Sequence, residues 1–273
     1  MVLICTVEWL VLCGFARMAY YTDLTDEQYA IILPMLPTQQ SMGRPRKIAF
    51  RVILNAIFYV LRGGIPWRML PNDFPPWQTV YYYYNTWSKL GLFTAINERL
   101  VKDVRVAAGR NEQPSAVIID SKTSPNAAKA KDKGYDAGKK TKGRKWHIGV
   151  DVLGLLLLCR ITSASIQDRD GAKLLLSVLN EKFPGLLKIW ADGGYRGKLV
   201  QWVAKTFAFV LEIILRPTKA FKVCPWRWIV ERTFGWLNWQ RRLSKDYEYL
   251  PRNQQAWIYL ASINYLLHRL APE

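Results

Sequence analysis

The spacing of apolar residues changes once along the chain, near residue 107. Before that point the pattern is helical. Asp23 or Thr25 is placed to cap a helix from Glu27 to Leu33, because a short oxygen side chain accepts the open amides of a first turn. Pro34 and Pro37 end it. A second helix is predicted over 48–61, where Ile53, Ile57, Val60 and Leu61 recur three or four residues apart, and Arg62-Gly63-Gly64 stops it. A short piece, Pro66 to Leu70, and a turn over 71–76 lead to a third helix, Trp77 to Leu90, broken by Gly91. Helix, tight glycine turn, helix and longer helix match a helix-turn-helix variant and equally a small bundle.

Beyond residue 107, short apolar runs bounded by turn residues predict strands. Ala116 to Ile119 ends abruptly at Asp120, Lys145 to Val152 and Leu155 to Ile161 flank a turn at Gly154, and Leu186 to Ala191 ends at Asp192. Phe207 to Leu215 is the last strand. Helices are predicted over 172–183, 198–206, 226–242 and 254–270. The expected fold is therefore α/β, a mixed sheet with flanking helices, preceded by a small all-α helix-turn-helix-like domain. The expected divisions are an apolar extension over 1–17, a helical domain over 18–106 and a sheet domain over 107–273. The extension carries Glu8 in its middle and no leading positive charge, so it reads as an over-long start before Met18, or as a packed helix, rather than as a membrane anchor.

Charge changes the picture. Lys plus Arg number 39 against 21 Asp plus Glu, a formal +18 over 273 residues, which repels itself unless a polyanion neutralises it. Nucleic acid is the first partner to consider. Cys5, Cys13, Cys159 and Cys224 form no CxxC pair or regular framework, which argues against zinc and disulfides and for a reducing cytoplasm.

The candidate chemistry lies in three carboxylates. Asp120 and Asp192 each terminate a buried-looking strand, where sheets present charge to ligands. Glu231 is the sole acid among eight basic residues between Arg216 and Lys245. At about 100° per residue, Arg227, Glu231, Gly235, Asn238 and Arg242 share one helix face, opposite Trp226, Val230, Phe234 and Leu237. Three hard carboxylates suit two divalent ions about 4 Å apart in phosphoryl transfer. A surface ion pair is the ordinary alternative for such a glutamate. A second basic run follows Asp120, comprising Lys122, Lys129, Lys131, Lys133, Lys139, Lys140, Lys142, Arg144 and Lys145, with three glycines between them. It reads as a solvated loop or as the path of a phosphate backbone.

Several strings carry a resemblance: Ile119-Asp120-Ser121-Lys122, Lys145 to Asp151 (KWHIGVD), Ala191 to Gly197 (ADGGYRG) and Val230 to Leu237 (VERTFGWL). In this order, and with Leu24 to Gln28, Gly43 to Arg46 and Gly64 to Pro71 before them, the chain resembles a bacterial insertion-sequence transposase of the DDE class, of the insertion-sequence-five family. The resemblance implies a ribonuclease H-like core, with Asp120, Asp192 and Glu231 as catalytic and metal-binding residues for two Mg²⁺ or Mn²⁺ ions. It implies binding of terminal inverted repeats, hydrolysis exposing a 3′-hydroxyl, and attack of that hydroxyl on target DNA by a homo-oligomer in the cytoplasm, at the nucleoid. The expected DNA contacts are Arg44, Arg46, Lys47, Lys122, Lys139, Lys140, Lys142, Arg144, Lys145, Arg196, Arg227, Arg232, Arg241, Arg242 and Lys245. The family's glutamate motif has a tyrosine and an arginine before it and a lysine after it. Arg227 fits the arginine, whereas Cys224 and Asn238 stand at the other two positions. Arg241, Arg242 or Lys245 would then supply the missing phosphate contact. A structure-selective nuclease and a catalytically inactive DNA-binding relative share these features.

Other residues are read as structural: His147 and His268 as packed histidines, Asp168 and Asp170 as helix caps, and Asp151 as a hairpin-turn residue. The run Tyr81 to Tyr84 surrounds its helix, so part of it is core and part exposed.

Overall fold

Thr25 caps the first helix, α1 (Asp26–Ile32), accepting from the Gln28 amide at 3.2 Å while the Gln28 side chain accepts from the Thr25 amide at 3.3 Å. This reciprocal pairing satisfies two otherwise open donors. The computed structural model describes residues 20–38, 47–127, 129–215 and 224–272. The extension 1–17, Met18, Arg44, Arg46, Arg216, Lys219 and Lys222 lie outside the described residues. A 3-10 turn at Leu33–Met35 follows α1, and α2 (Phe50–Gly63) ends at Gly64, whose φ of 68° is left-handed. After α3 (Trp77–Lys89), Gly91 turns the chain into α4 (Leu92–Ala107).

The sheet begins with β1 (Ala116–Pro125), β2 (Gly134–Asp136), β3 (Thr141–Val150) and β4 (Leu156–Ser163). β1, β3 and β4 are antiparallel neighbours, and β2 forms a hairpin with β3. After α5 (Asp168–Lys182), β5 (Lys188–Asp192) pairs parallel with β1. Then α6 (Lys198–Thr206) leads to β6 (Val210–Ile214), parallel to β5. The order β4-β3-β1-β5-β6, antiparallel then parallel, is the expected ribonuclease H-like mixed sheet. α7 (Pro225–Asn238) and α8 (Pro251–Leu270) complete the chain.

Several elements differ from expectation. β2 and the start of β3 at Thr141 fall in the basic run read as a loop. β1 does not stop at Asp120, because β3 pairs with it as far as Pro125↔Gly143. Its parallel pairing with β5 does stop, at Ile118↔Trp190, so Asp120 lies just past that seam. α5 starts at Asp168 with Gln167 at the cap position, so the two aspartates lie in its first turn. They pair with Lys145 (2.8 Å) and Lys173 (3.1 Å) rather than capping. α7 stops at Asn238, and Arg241–Leu243 form a separate 3-10 turn.

α5 covers one sheet face. Gly171 meets His147 so closely that a Cβ there would stand 2.1 Å from the imidazole. α7 packs on β1, β3 and β5 across the other face, and α8 and α4 on β4. One apolar core runs from Leu24 through the sheet to Leu267. The N-terminal helices join it through buried polar ties. Tyr84 donates to the Asn253 carbonyl at 2.6 Å, Asn97 donates to the Leu156 carbonyl at 2.8 Å, and Arg105 pairs with Asp151. Tyr84 is buried and Tyr82 exposed, as the wrapped tyrosine run requires.

Candidate active site

The seam between β1 and β5 is where strand directions change from antiparallel to parallel pairing, and loops diverge there. Asp120 sits on it, recessed. Burial raises its carboxyl from the ordinary 3.8 to about 7. The Ser121 amide, 2.7 Å away, opposes that rise, the Asp192 charge adds to it, and Lys139 and Arg227 offset it. Asp192 closes β5 and is held by the Gly194 amide at 2.8 Å. Glu231 reaches in from α7, which docks by Val230 and Leu237, both buried. Trp226, one turn earlier, stacks on Trp190 of β5 with centroids 4.3 Å apart.

Arg227 joins the last two acids. Its guanidinium lies 3.4 Å from the Glu231 carboxylate and 3.8 Å from that of Asp192. Asp192, Arg196 and Arg227, with Gly193, Gly194, Ile214 and Leu215, line an open depression of about 350 Å³. The donor set consists of carboxylate oxygens, whose chemistry fits a hard divalent cation. Among the described residues, the side chains as placed form no group of three ligands able to hold one, and the guanidinium stands between two of the acids. Lys122, two residues beyond Asp120 on the same strand face, donates to the Asn238 side-chain oxygen and lies 5.2 Å from the Trp146 ring centroid. Burial lowers its ammonium pKa. The position at which the motif departs from its expected lysine thus receives an ammonium from β1.

The other expected DNA contacts divide by exposure. Lys47, Lys139, Lys140, Lys142, Arg196 and Arg241 are exposed, and Arg232 and Lys245 are partly so. Arg232 donates to the Leu153 carbonyl at 3.1 Å and covers Trp236, away from the acids. For three residues the expectation of a phosphate contact is corrected. Arg144 is wholly buried against Asp246 at 2.9 Å. Lys145 is buried between Asp136 (3.2 Å) and Asp168 (2.8 Å). Arg242 is buried against Glu248 at 2.6 Å and leaves the Glu231 face because the helix has already ended. These cations hold the fold together.

Asp136, His147, Asp151 and Cys159 are held within the fold. Burial pushes Asp136 up, but the Thr123 hydroxyl, the Lys139 amide and Lys145 outweigh it and hold the carboxyl at about 2. Burial lowers His147 to about 4, and its Nε2 lies 3.0 Å from the Thr162 hydroxyl. Asp151 accepts from the Leu153 and Leu155 amides, as a turn residue should. Burial pushes the Cys159 thiol up. The Arg227–Glu231 contact is an i,i+4 pair that the shared helix face announces, whereas the reach of Arg227 to Asp192 and the anchoring of Lys122 by Asn238 cross between elements and carry no local sequence signal.

A family model for the transposase DDE domain matches residues 111–267, and one for transposases of the IS4/5 family matches residues 24–97. No curated protein and no solved structure matches the chain.

Proposed function

The chain belongs to the family of transposases with a DDE domain, and on that premise we propose that it binds the terminal inverted repeats of an insertion sequence and cuts and joins DNA strands at Asp120, Asp192 and Glu231. The observation carrying this reading is the meeting at one seam of a recessed acid on β1, an acid ending β5 and an acid from α7, with Arg227 bridging two of them. Members of the family act on DNA and generally use a divalent metal.

The three carboxylates would hold two Mg²⁺ or Mn²⁺ ions, which when bound activate the attacking oxygen and stabilise the leaving one. Around them, Arg196, Arg227 and Lys122 present cations to the phosphates flanking the scissile bond. In the first step water adds to a phosphodiester phosphorus and the 3′-oxygen leaves as a hydroxyl. In the second that hydroxyl attacks a target phosphodiester and displaces another 3′-oxygen, so the number of phosphodiester bonds is conserved. Residues 18–106 serve end recognition, 107–273 serve catalysis, and a homo-oligomer brings two ends together. No helix among the described residues is long and apolar enough to cross a membrane.

Asp120→Asn and Glu231→Gln should each abolish cleavage of an end-containing duplex in Mg²⁺ while end binding persists. Normal nicking by both variants would overturn the assignment of the three acids. Wild-type binding without cleavage in any metal would instead mark an inactive DNA-binding relative, and cleavage indifferent to repeat ends a nuclease.

A further inference from the structure

Asp120, Lys122 and Ser124 alternate onto one face of β1, and the register carries that face across to Ile148, Trp146 and Arg144 on β3. It continues to Lys142, which pairs with Tyr135 on β2. Lys142 is thus ~20 Å along β3 from the position opposite Asp120, at about 3.3 Å per residue. Between the two, the segment 246–249 is held to this face by the buried Arg144. Its guanidinium donates to the Asp246 carboxylate at 2.9 Å and to the carbonyls of Lys131, Glu248 (3.0 Å) and Tyr249 (2.6 Å). The Lys131 amide returns a bond to the Tyr249 carbonyl at 2.9 Å.

This frame is closely hydrogen-bonded, yet it displays aromatic rings. Tyr135, Tyr247 and Tyr249 are 55%, 47% and 61% exposed, and Lys131 and Lys142 beside them are exposed too. Tyr247 is backed by the Arg242 guanidinium, 5.4 Å from its ring centroid, and that guanidinium is pinned by Glu248 and lies 5.5 Å from Trp257.

We propose that Tyr135, Tyr247 and Tyr249 form a stacking platform for the unpaired bases of a DNA strand leaving the carboxylate site, with Lys131 and Lys142 neutralising its phosphates. This deepens the function proposed above and rests on it. A duplex offers a protein its phosphates and base edges, because its ring faces are already stacked on one another. An unpaired strand offers ring faces, for which exposed, preorganised aromatics beside cations are the matching surface. A second copy of this chain fits the patch poorly, since it would bring lysines against lysines in a molecule of formal charge +18.

The test measures the full chain against a labelled oligothymidylate of about twenty nucleotides and a duplex of equal length. Tyr247→Ala and Tyr249→Ala should each weaken oligothymidylate binding about tenfold and duplex binding less than about twofold, with an unchanged salt slope. Tyr247→Phe should bind like wild type, because the ring face remains. Lys131→Gln with Lys142→Gln should weaken binding of the oligothymidylate and lower its salt slope, by about 0.7 per lost contact. Equal losses for both DNAs, no loss for either, or an altered sedimentation coefficient of the free alanine variants would overturn the platform. End cleavage is scored separately on the same preparations. Its absence in wild type would count against the transposition reading and leave the single-strand preference standing.

Discussion

Asp120 carries a cost in the free protein, because its folded-state value of about 7 lies above the ordinary 3.8. A group shifted in that direction contributes its full stability below pH 3.8 and loses it as pH rises through 7. Asp120→Asn cannot ionise, so without metal it should melt higher than wild type, and its advantage should grow from pH 5 to pH 8. Thermal melts at both values check this, and an equal difference at each would refute it. The three acids were legible as residues because each interrupts an apolar or basic run. Arg144, Lys145 and Arg242 were not separable from their exposed neighbours. The partners that bury them, Asp246, Asp136, Asp168 and Glu248, approach through tertiary packing that no local pattern announces.

Among elements, β2 and the bounds of α4 had no prediction, the order of the remaining helices and strands followed from periodicity and turn residues, and α6 has the predicted bounds. Departures occur where a neighbour decides. Ser121 to Ser124 have no apolar run, yet they remain strand because β3 supplies the ladder. α7 stops at Asn238 without a glycine or proline, while Gln240 turns to the Asn264 side chain of α8 at 3.1 Å. α5 approaches β3 only because Gly171 has no Cβ. Alanine ordinarily favours a helix by about 0.5–1 kcal/mol over glycine, but Gly171→Ala should destabilise by about 1–3 kcal/mol, because the imidazole of His147 must move. Urea midpoints should show this loss, with partial recovery in Gly171→Ala combined with His147→Ala.

For the molecule as a whole, composition pointed to a polyanion partner, a reading in keeping with membership of a transposase family, whereas the packing of the N-terminal helices onto the sheet had no signature along the chain. Arg105 of α4 and Asp151 after β3 are both buried and pair the last N-terminal helix with the sheet. Arg105→Met leaves the buried carboxylate without its counter-charge and should cost about 3–5 kcal/mol, more than Arg105→Met combined with Asp151→Asn. Denaturant unfolding of the two variants checks the order. The packing of α8 also sets a timetable. This helix, the last twenty residues of regular structure, rests on α4, α3, α2 and α1, and the Gln28 side chain donates to the Ala271 carbonyl. During synthesis α1 to α4 therefore wait, apolar faces uncovered, until α8 has emerged. A nascent chain halted anywhere before α8 would be a substrate for chaperones and proteases, so acquisition of the N-terminal helical fold is tied to completion of the DDE domain.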